Sequence, residues 1–459
     1  MSGLEHTVPE GFKKTEVGIY PETWEVKTLA EIANIERGKF SARPRNDPKY
    51  FGGTIPFIQT GDITRSNGRD VSYSQTLNEK GLSVSRLFPE NSLYFTIAAN
   101  IGDVAIVNYQ SACPDSLVVF KEKKSVEKEW LYHALADKKA EFEVIATSNA
   151  QLNINLEKLN PYKLCVPPKE EQTAIANALS DVDALLTELE KLIAKKQAIK
   201  TATMQQLLTG KTRLPQYATY TEGEKQGQPK GTKPSELGEI PEDWKVQTVD
   251  EQLKLLTDFE ANGSFESVAQ NVSIKDNDGY AWYVRATDLE NSSSLSKVKY
   301  VDAKSYSFLK KTSLYGDELL ITKRGEIGKV YFFEMKTEHA TLAPNMYLLK
   351  LNENVCGKFL YYFFKSDIGQ KLLKKNNAST SLGALYKDDV KSMLIALPSE
   401  LEEQTAISTI LSDMDNEIQT LEQRLAKTRQ IKQGMMQQLL TGRTRLPFKR
   451  LETEQDGGS

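Results

Sequence analysis

The sequence predicts an α+β protein in which two pseudo-symmetric variable domains are separated by two long antiparallel helices that form a coiled coil. Residues 170–215 align without a gap with residues 402–447, and 27 of these 46 positions are identical. Residues 16–29 align with residues 236–249, with 7 of 14 positions identical. Between the matched blocks, strand-like and helix-like stretches alternate, and the two halves differ. The chain therefore reads as one unit written twice, with shared frames around divergent domains.

The matched blocks divide the chain into six expected segments. Residues 216–235 contain no Ile, Leu, Val, Met, Phe or Trp, which is typical of a linker. The start of the chain resembles this junction, because Gly11 and Lys13 align with Gly231 and Lys233, so we expect the second helix to run back toward the first domain. The expected segments are a first variable domain at 1–165, a helical region at 166–214, a linker at 215–235, a second variable domain at 236–397, a second helical region at 398–447 and a flexible tail at 448–459.

Each shared block predicts one helix of about 39 residues, or about 58 Å at 1.5 Å per residue. Apolar residues recur at alternating spacings of four and three, as in a coiled coil. Prolines precede each block, glutamates fall in the first turn, and Gly210 or Gly442 closes it. The residues expected to pair the helices are Ile175, Leu179, Val182, Leu186, Leu189, Ile193, Ile407, Leu411, Met414, Ile418, Leu421 and Leu425.

The apolar pattern lapses at the same two aligned places in both copies. We expect Ile199 and Ile431 to take the apolar position one residue early there, which predicts a shared stutter in the helix pair. Because this length exceeds the usual 8 to 20 residues of a globular helix, we expect the two helices to pack together. The alternative is that each helix docks only on its own domain.

Composition excludes several classes of protein. The 459-residue chain is 39% hydrophobic and 26% charged, which is typical of a globular protein, and its formal net charge is -3. No apolar run approaches the ~20 residues of a membrane span, and the N-terminus lacks the apolar core of a secretory signal. Three scattered cysteines suit a reducing compartment, and three isolated histidines predict neither a metal site nor histidine catalysis. Nucleotide-binding and hydrolase motifs are absent from the sequence.

Several polar stretches combine the side chains that contact DNA, since Arg suits guanine edges and phosphates, and Asn or Gln suits adenine. Their recurrence at matching places in the two halves favours binding, although any one stretch alone could be a solvated loop. The candidates in the first domain are Arg37, Lys39, Arg43, Arg45, Asn46, Lys49, Arg65, Asn67, Arg69, Asn149, Gln151 and Asn153. Those in the second domain are Arg285, Lys323, Arg324, Asn376, Asn377, Ser379 and Thr380.

Neither variable domain carries an excess of positive charge. Residues 1–165 contain 20 basic and 21 acidic residues, and residues 237–397 contain 21 and 22. Because phosphate neutralisation supplies most non-specific affinity, we expect the chain alone to bind DNA weakly. A partner is expected to complete the binding surface.

Four motifs frame the chain: EEQTAI at the start of both blocks, QQLLTG[KR]TRLP at their ends, GxxPxxW at 18–24 and 238–244, and ITKRGEIGKV at 321–330. A duplicated chain with these motifs resembles the specificity (S) subunits of type I restriction-modification systems, over nearly its whole length. The loop at 97–104, IAANIGDV, departs from the pattern because it lacks the Lys-Arg pair of the second half.

The resemblance implies a non-catalytic subunit of the bacterial or archaeal cytoplasm. Each variable domain would be a target recognition domain that reads half of a bipartite site in double-stranded DNA. Two methyltransferase (M) subunits would dock on the chain and methylate adenines, and restriction (R) subunits would join them. S-adenosylmethionine, ATP and Mg would then belong to these partners, and the chain itself would hold no cofactor.

Two other classes of function stay open at this point. One is a coiled-coil scaffold with no role in DNA binding. The other is a catalytic methyltransferase or nuclease, although the tetrapeptides DPKY and NPYK lack the second proline of the amino-methyltransferase loop. A helix of about 58 Å matches about 17 base pairs, so a paired rod could set the distance between two readers.

Overall fold

The computed structural model describes residues 8–147, 153–290, 294–375 and 384–447 of the chain. The chain divides into two compact units, one holding residues 1–190 and 423–459, the other residues 191–422. Each unit contains short strands, helices and parts of both shared blocks, so the predicted α+β class is confirmed. Within the described ranges, no helix is both long and apolar enough to cross a membrane.

The first unit is built around a four-stranded antiparallel sheet. The strands of the whole unit are β1 (Phe12–Thr15), β2 (Gly18–Pro21), β3 (Glu25–Thr28), β4 (Ala33–Arg37), β5 (Phe51–Pro56), β6 (Thr76–Leu77), β7 (Leu87–Phe88), β8 (Ser92–Thr96), β9 (Val104–Val107), β10 (Ser111–Ala112), β11 (Leu117–Glu122) and β12 (Lys163–Val166). The sheet has the order β4-β11-β8-β9, and β1-β2, β3-β12, β5-β6 and β7-β10 form smaller antiparallel pairs. Because alternate strand residues point to opposite faces, Leu93 and Phe95 enter one core cluster and Tyr94 another.

Two helices pack on one face of this sheet. The helices that begin in the first unit are α1 (Leu29–Ile32), α2 (Thr60–Arg65), α3 (Glu79–Ser83), α4 (Lys128–Asp137), α5 (Lys139–Thr147), α6 (Leu156–Leu159) and α7 (Lys169–Leu207). Trp130 and Leu131 of α4 and Phe142 of α5 are buried in the same cluster as Phe95. The rings of Phe95 and Phe142 meet edge to face with centroids 5.0 Å apart. The segment after β11 therefore forms two helices that pack on the sheet.

The second unit repeats this sheet and adds a second one. Its strands are β13 (Thr232–Ser235), β14 (Gly238–Pro241), β15 (Trp244–Thr248), β16 (Leu253–Asp258), β17 (Ile274–Lys275), β18 (Ala281–Val284), β19 (Lys299–Val301), β20 (Ser313–Leu314), β21 (Leu319–Thr322), β22 (Val330–Phe332), β23 (Ala340–Leu342), β24 (Met346–Leu351) and β25 (Leu394–Pro398). The order β16-β24-β21-β22 matches β4-β11-β8-β9 of the first unit. The additional sheet is β17-β19-β18-β23-β20, in which β18 and β23 are parallel.

The remaining helices are α8 (Phe265–Asn271), α9 (Ala286–Glu290), α10 (Ala303–Phe308), α11 (Gly357–Lys365), α12 (Asp367–Lys375), α13 (Lys387–Ser392) and α14 (Leu401–Leu439). α7 and α14 are each 39 residues long, as the shared blocks predict. The expected linker is partly regular, because Thr219 bridges Pro229 and β13 begins at Thr232. The expected flexible tail at 448–459 lies outside the described residues.

Ion pairs show that α7 and α14 run antiparallel within each unit. In the first unit, Asp183 pairs with Lys432 at 2.5 Å and Glu190 with Arg429 at 2.6 Å. In the second unit, Lys196 pairs with Glu417 at 2.7 Å, and Lys200 pairs with Asp415. In both units the partner number falls as the α7 number rises, which is the pattern of antiparallel helices.

The apolar residues expected to pair the helices are all at least half-buried. Ile175, Leu179, Leu189, Ile193, Ile407, Leu411 and Ile418 are buried, and Val182, Leu186, Met414, Leu421 and Leu425 are half-buried. The expectation for the lapses in the pattern was wrong. Ile199 and Ile431 remain 41% and 48% exposed, because Lys196, Lys200 and Lys432 occupy the lapse and reach acidic residues of the facing helix.

The glycine that ends each long helix explains one part of the repeated motif. Gly210 and Gly442 both have φ near +68°, which a side chain disfavours. A Cβ at Gly210 would also lie 2.4 Å from Cγ of Pro241, and one at Gly442 would lie 2.4 Å from Cγ of Pro21. Each helix end therefore packs against the proline of a domain hairpin without room for a side chain.

The arginine of the same motif ties each helix end to the base of a domain. Arg445 pairs with buried Glu171, whose Oε2 also accepts a hydrogen bond of 3.0 Å from Nε1 of Trp24. In the second unit, Arg213 pairs with buried Glu403 at 2.6 Å. The motif therefore recurs because each unit packs the same helix end against its own hairpin and ion-pairs it with a buried glutamate.

A second pair of equivalent contacts joins each domain to the helices. In the second unit, the hydroxyl of Tyr362 on α11 donates to Asp415 at 2.9 Å. In the first unit, His133 of α4 faces Asp183, with Nε2 4.0 Å from Oδ2. Within the described residues, Nδ1 of His133 and Oδ2 of Asp183 are buried without a hydrogen-bond partner. The first junction is thus less completely bonded than the second.

Candidate nucleic-acid interface

Both domains place a polar residue between a parallel backbone pairing and the start of a short helix. In the first domain, Phe57 forms a parallel bridge with Ala112, and Gln59 follows at the start of α2. In the second domain, β18 pairs in parallel with β23, and Arg285 follows at the start of α9. Gln59 and Arg285 therefore occupy equivalent positions, as the alignment of FIQTGDI with YVRATDL predicts.

Backbone hydrogen bonds then gather further loops around this point. The backbone N–H of Ile97 donates to the carbonyl of Ser116 at 3.0 Å, and that of Ile154 donates to the carbonyl of Ile97 at 2.9 Å. In the second domain, Lys323 donates to Asn345 at 2.9 Å and Leu385 donates to Lys323 at 3.2 Å. The loops near residues 97, 115 and 154, and those near 323, 344 and 385, therefore converge in the same way in each domain.

A threonine fixes the central loop in both domains. In the second domain, Oγ1 of Thr322 donates to the carbonyl of Glu326 at 2.5 Å and accepts from the backbone N–H of Lys329 at 2.9 Å. In the first domain, Oγ1 of Thr96 donates to the carbonyl of Asn100 and accepts from the backbone N–H of Asp103 at 2.9 Å. The loop shape is thus shared although the first domain lacks the Lys-Arg pair.

The basic loop of the first domain is anchored to this convergence by Asp115. Nε of Arg37 donates to the carbonyl of Asp115 at 2.6 Å, and Nη2 of Arg45 pairs with its carboxylate at 2.9 Å. Arg43 donates to the carbonyl of Ala42 at 2.7 Å. Both Arg37 and Arg45 are exposed, so their guanidinium groups are oriented but still accessible to phosphates or base edges.

A cleft of about 500 Å³ opens beside this loop. Phe40, Phe51 and Phe57 supply apolar lining, and Arg45, Asn46, Gln59 and Gln75 supply polar groups. Nε2 of Gln59 donates to Oε1 of Gln75 at 3.1 Å, which places two amides side by side at the cleft. Sequence reasoning missed Gln59, Gln75 and Asp115, although the alignment of Gln59 with Arg285 was the signal that could have found the first.

A buried aspartate supports the equivalent position in each domain. The backbone N–H of Gln59 donates to Asp62 at 2.9 Å, and that of Arg285 donates to Asp288 at 3.2 Å. Asp62 also pairs with exposed Arg65 at 2.6 Å. Nε and Nη2 of Arg285 contact Asp288 at 3.1 and 2.6 Å. The carboxylates of Asp62 and Asp288 therefore orient the guanidinium groups of Arg65 and Arg285.

Two of the predicted DNA-contacting residues are held by carboxylates of their own domain. Arg69 pairs with Glu129, at 3.2 Å for Nη1 and Oε1, and its guanidinium lies 4.3 Å from the ring centroid of Tyr132. Lys323 is buried, with Nζ 2.7 Å from Oδ2 of Asp258. The DNA-contact prediction for Lys323 is corrected, because its ammonium group points inward to a buried carboxylate. Arg69 is half-buried, and its contact with DNA stays a prediction.

The pKa of Asp258 reflects this buried contact. Burial alone would raise the pKa of its carboxyl, but hydrogen bonds from Lys323 and Lys387 outweigh burial and hold the pKa below its usual value. The neighbouring Arg324 is exposed, and its Nη2 lies 3.7 Å from Glu260. Arg324 therefore remains the accessible cation of this loop.

The other predicted residues fall into two groups. Lys39, Asn46, Lys49 and Asn67 are exposed, Lys49 pairs with Asp47 at 2.8 Å, and Asn153 is half-buried beside Ala98. The predicted residues that lie outside the described ranges are Asn149, Gln151, Asn376, Asn377, Ser379 and Thr380. In the part of the chain that the structure describes, no group of three or more His, Cys, Asp or Glu residues could hold a metal ion.

Comparison with known proteins assigns the family. Residues 21–201 and 241–430 match the family described as type I restriction modification DNA specificity domain. The chain is 26% identical over 454 residues to the type I restriction enzyme MjaX specificity subunit of Methanocaldococcus jannaschii, covering 96% of this chain and 99% of that protein. It is 25% identical over 451 residues to the MjaVIII specificity subunit of the same organism, covering 95% and 96%.

A solved structure supports the fold. The crystal structure of the S subunit of a type I restriction-modification system from M. genitalium has a TM-score of 0.55 and 15% identity, covering 91% of this chain and 96% of that chain. The chain therefore belongs to the family of type I restriction-modification specificity subunits, which recognise DNA and are not themselves enzymes.

Proposed function

We propose that each variable domain reads one half of a bipartite DNA site through its converging loops. The observation that carries this proposal is the matched set of backbone hydrogen bonds that gathers polar segments at one point of each domain. Because the scaffold is shared while the side chains differ, the two domains suit two different half-sites. The proposed recognition domains are residues 1–165 and 236–397.

The two long helices are proposed to set the distance between the readers. Each helix has 39 residues. At 1.5 Å per residue this corresponds to about 58 Å, or about 17 base pairs of DNA. The antiparallel ion pairs within each unit support pairing of the two helices.

We further propose that two methyltransferase subunits dock on the helical regions at 166–214 and 398–447. The similarity of these regions, with 27 of 46 aligned positions identical, favours two equivalent docking surfaces. The even charge balance of the domains favours a partner that supplies positive charge for DNA affinity. Adenine methylation with S-adenosylmethionine would occur on these partners, and ATP and Mg would serve restriction subunits that join them, in the cytoplasm of a bacterium or archaeon.

Footprinting of duplex DNA tests this proposal. The full chain in complex with its methyltransferase subunits should protect two separated segments, and the chain alone should protect them weakly. A single continuous contact with no sequence preference, or no protection by the complex on any sequence, would contradict the proposal. Titration of the isolated chain with S-adenosylmethionine is the matching control, in which stoichiometric binding would indicate a catalytic role instead.

A further inference from the structure

The position shared by Gln59 and Arg285 differs in chemistry between the two domains. Gln59 follows an isolated parallel bridge between Phe57 and Ala112, and Arg285 follows β18, whose partner β23 is parallel. Both residues donate their backbone N–H to an aspartate three residues later. Asp62 and Asp288 are 2% and 3% exposed, so each is a fixed support for the residue it bonds. The scaffold is therefore the same, and the side chain at this position is the variable.

In the first domain the position presents an amide. Gln59 lines the cleft together with Arg45 and Asn46, and its contact with Gln75 holds the amide plane beside a second amide. A glutamine amide carries a donor and an acceptor in one plane, which matches N7 and the N6 amino group of adenine.

In the second domain the position presents a guanidinium. Two contacts to one carboxylate hold Arg285 in a fixed plane. A guanidinium has five N–H donors, so this support leaves three for other acceptors. Two parallel donors match O6 and N7 of guanine.

We propose that residues 59 and 285 are the equivalent specificity-determining position of the two domains, with Gln59 selecting adenine in one half-site and Arg285 selecting guanine in the other. The proposal rests on the proposed function, because it assigns base contacts to a surface that reads DNA. Asp62 acts as a positioning residue through the backbone N–H of Gln59, and Asp288 does so through both the backbone N–H and the guanidinium of Arg285.

The test is selection of bound duplexes from a library with randomised half-sites, followed by sequencing. The complex of the full chain with its methyltransferase subunits is used throughout. Gln59→Arg should change one position of one half-site from adenine to guanine, by roughly tenfold or more in relative frequency, and leave the other half-site unchanged. Arg285→Gln should make the reverse change in the other half-site. Gln226→Arg, at an exposed residue of the linker, is the matched control and should leave both half-sites unchanged.

Gln59→Ala separates base reading from a general loss of binding. It should make one position degenerate while the rest of the selected site is retained. An unchanged motif for Gln59→Arg and Gln59→Ala would overturn the assignment, as would uniform loss of binding that leaves base preferences unaltered. A wild-type complex that selects no bipartite site would instead contradict the proposed function.

Discussion

The adjacent residues Lys323 and Arg324 have different roles. Lys323 is buried against Asp258, whereas Arg324 is 62% exposed in its side chain. In the first domain, Ile97 occupies the place of Lys323 and packs in the core. A single residue therefore decides whether this loop is held by an ion pair or by apolar packing, and the outward neighbour remains available for DNA.

Replacing Arg324 by Ala should weaken reading of only one half-site. If Arg324 contacts a phosphate, the slope of log affinity against log salt should fall by about one unit. Binding to duplexes with one half-site scrambled at a time measures the effect. Lys254→Ala, which removes an exposed lysine paired with Glu353 at 2.8 Å, should change neither slope nor preference. Equal loss at both half-sites would refute the assignment.

Replacing Lys323 by Ala should destabilise the second unit. Removing Lys323 leaves the buried carboxylate of Asp258 only partly compensated, because Lys387 still contacts it. We therefore expect a loss of about 3 kcal/mol in the free energy of unfolding, at the low end of the usual range for a broken buried ion pair. Lys323→Ile combined with Asp258→Leu should recover most of this loss. Denaturant unfolding followed by tryptophan fluorescence measures both, and an unchanged midpoint for Lys323→Ala would contradict the structural role.

At the scale of elements, the long helices end where a glycine meets a proline of a domain hairpin. This contact is made twice with the same geometry, at Gly210 and at Gly442. Gly434, which lies inside α14, is different because a Cβ there would have no neighbour within 4 Å. Gly434 can therefore serve as a control when the free-energy cost of adding a side chain at Gly442 is measured.

Gly442→Ala should lower the free energy of unfolding of the first unit. The left-handed backbone alone costs a side chain about 1–2 kcal/mol, and the close approach of Pro21 adds to it. Gly434→Ala should instead stabilise the protein by about 0.5–1 kcal/mol, because alanine favours a helix interior. Thermal unfolding of the two variants measures the contrast, and equal effects would show that the helix end is not packed as described.

The junction at His133 should make the first unit sensitive to acid. Burial lowers the pKa of His133 to about 3, with Lys432 and Arg69 acting in the same direction. Since an unfolded histidine has a pKa near 6.5, the unfolded state binds the proton first, and stability is lost as the pH falls from about 6.5 toward 3.

The loss at His133 should reach at most about 1.4 kcal/mol per pH unit. Unfolding measured across this range should show a shallower decline for His133→Tyr, which imitates Tyr362 of the second unit. The reverse substitution, Tyr362→His, should steepen the decline. Identical pH profiles for wild type and His133→Tyr would contradict this account of the junction.

For the whole molecule, the sequence predicts the repeated frame well because the frame depends on local patterns. Both 39-residue helices, their terminal glycines and their antiparallel direction follow from periodicity and from the repeated ends. The exposure of Ile199 could not be predicted in this way, because the apolar pattern does not show that Lys196 and Lys200 pair with acidic residues of the facing helix.

The candidate interface was predictable only in part. The basic loop at Arg37 and Arg45 is visible as composition. The inward direction of Lys323 and the pairing of Arg69 with Glu129 depend on partners far away in the chain. Gln59 was missed because one amide in a strand-like stretch carries no local signal. The alignment of FIQTGDI with YVRATDL places it in the position of Arg285, but only the fold shows that its amide contacts Gln75.

Mapping of methylated adenines on DNA exposed to the complex of this chain with its methyltransferase subunits tests the central claim most directly. We expect every modified site to contain two unlike specific segments at one constant spacing, with one methylated adenine in each. Methylation at a single uninterrupted motif, or at two segments whose spacing varies freely, would contradict an account in which two different domains read DNA at a distance set by paired helices.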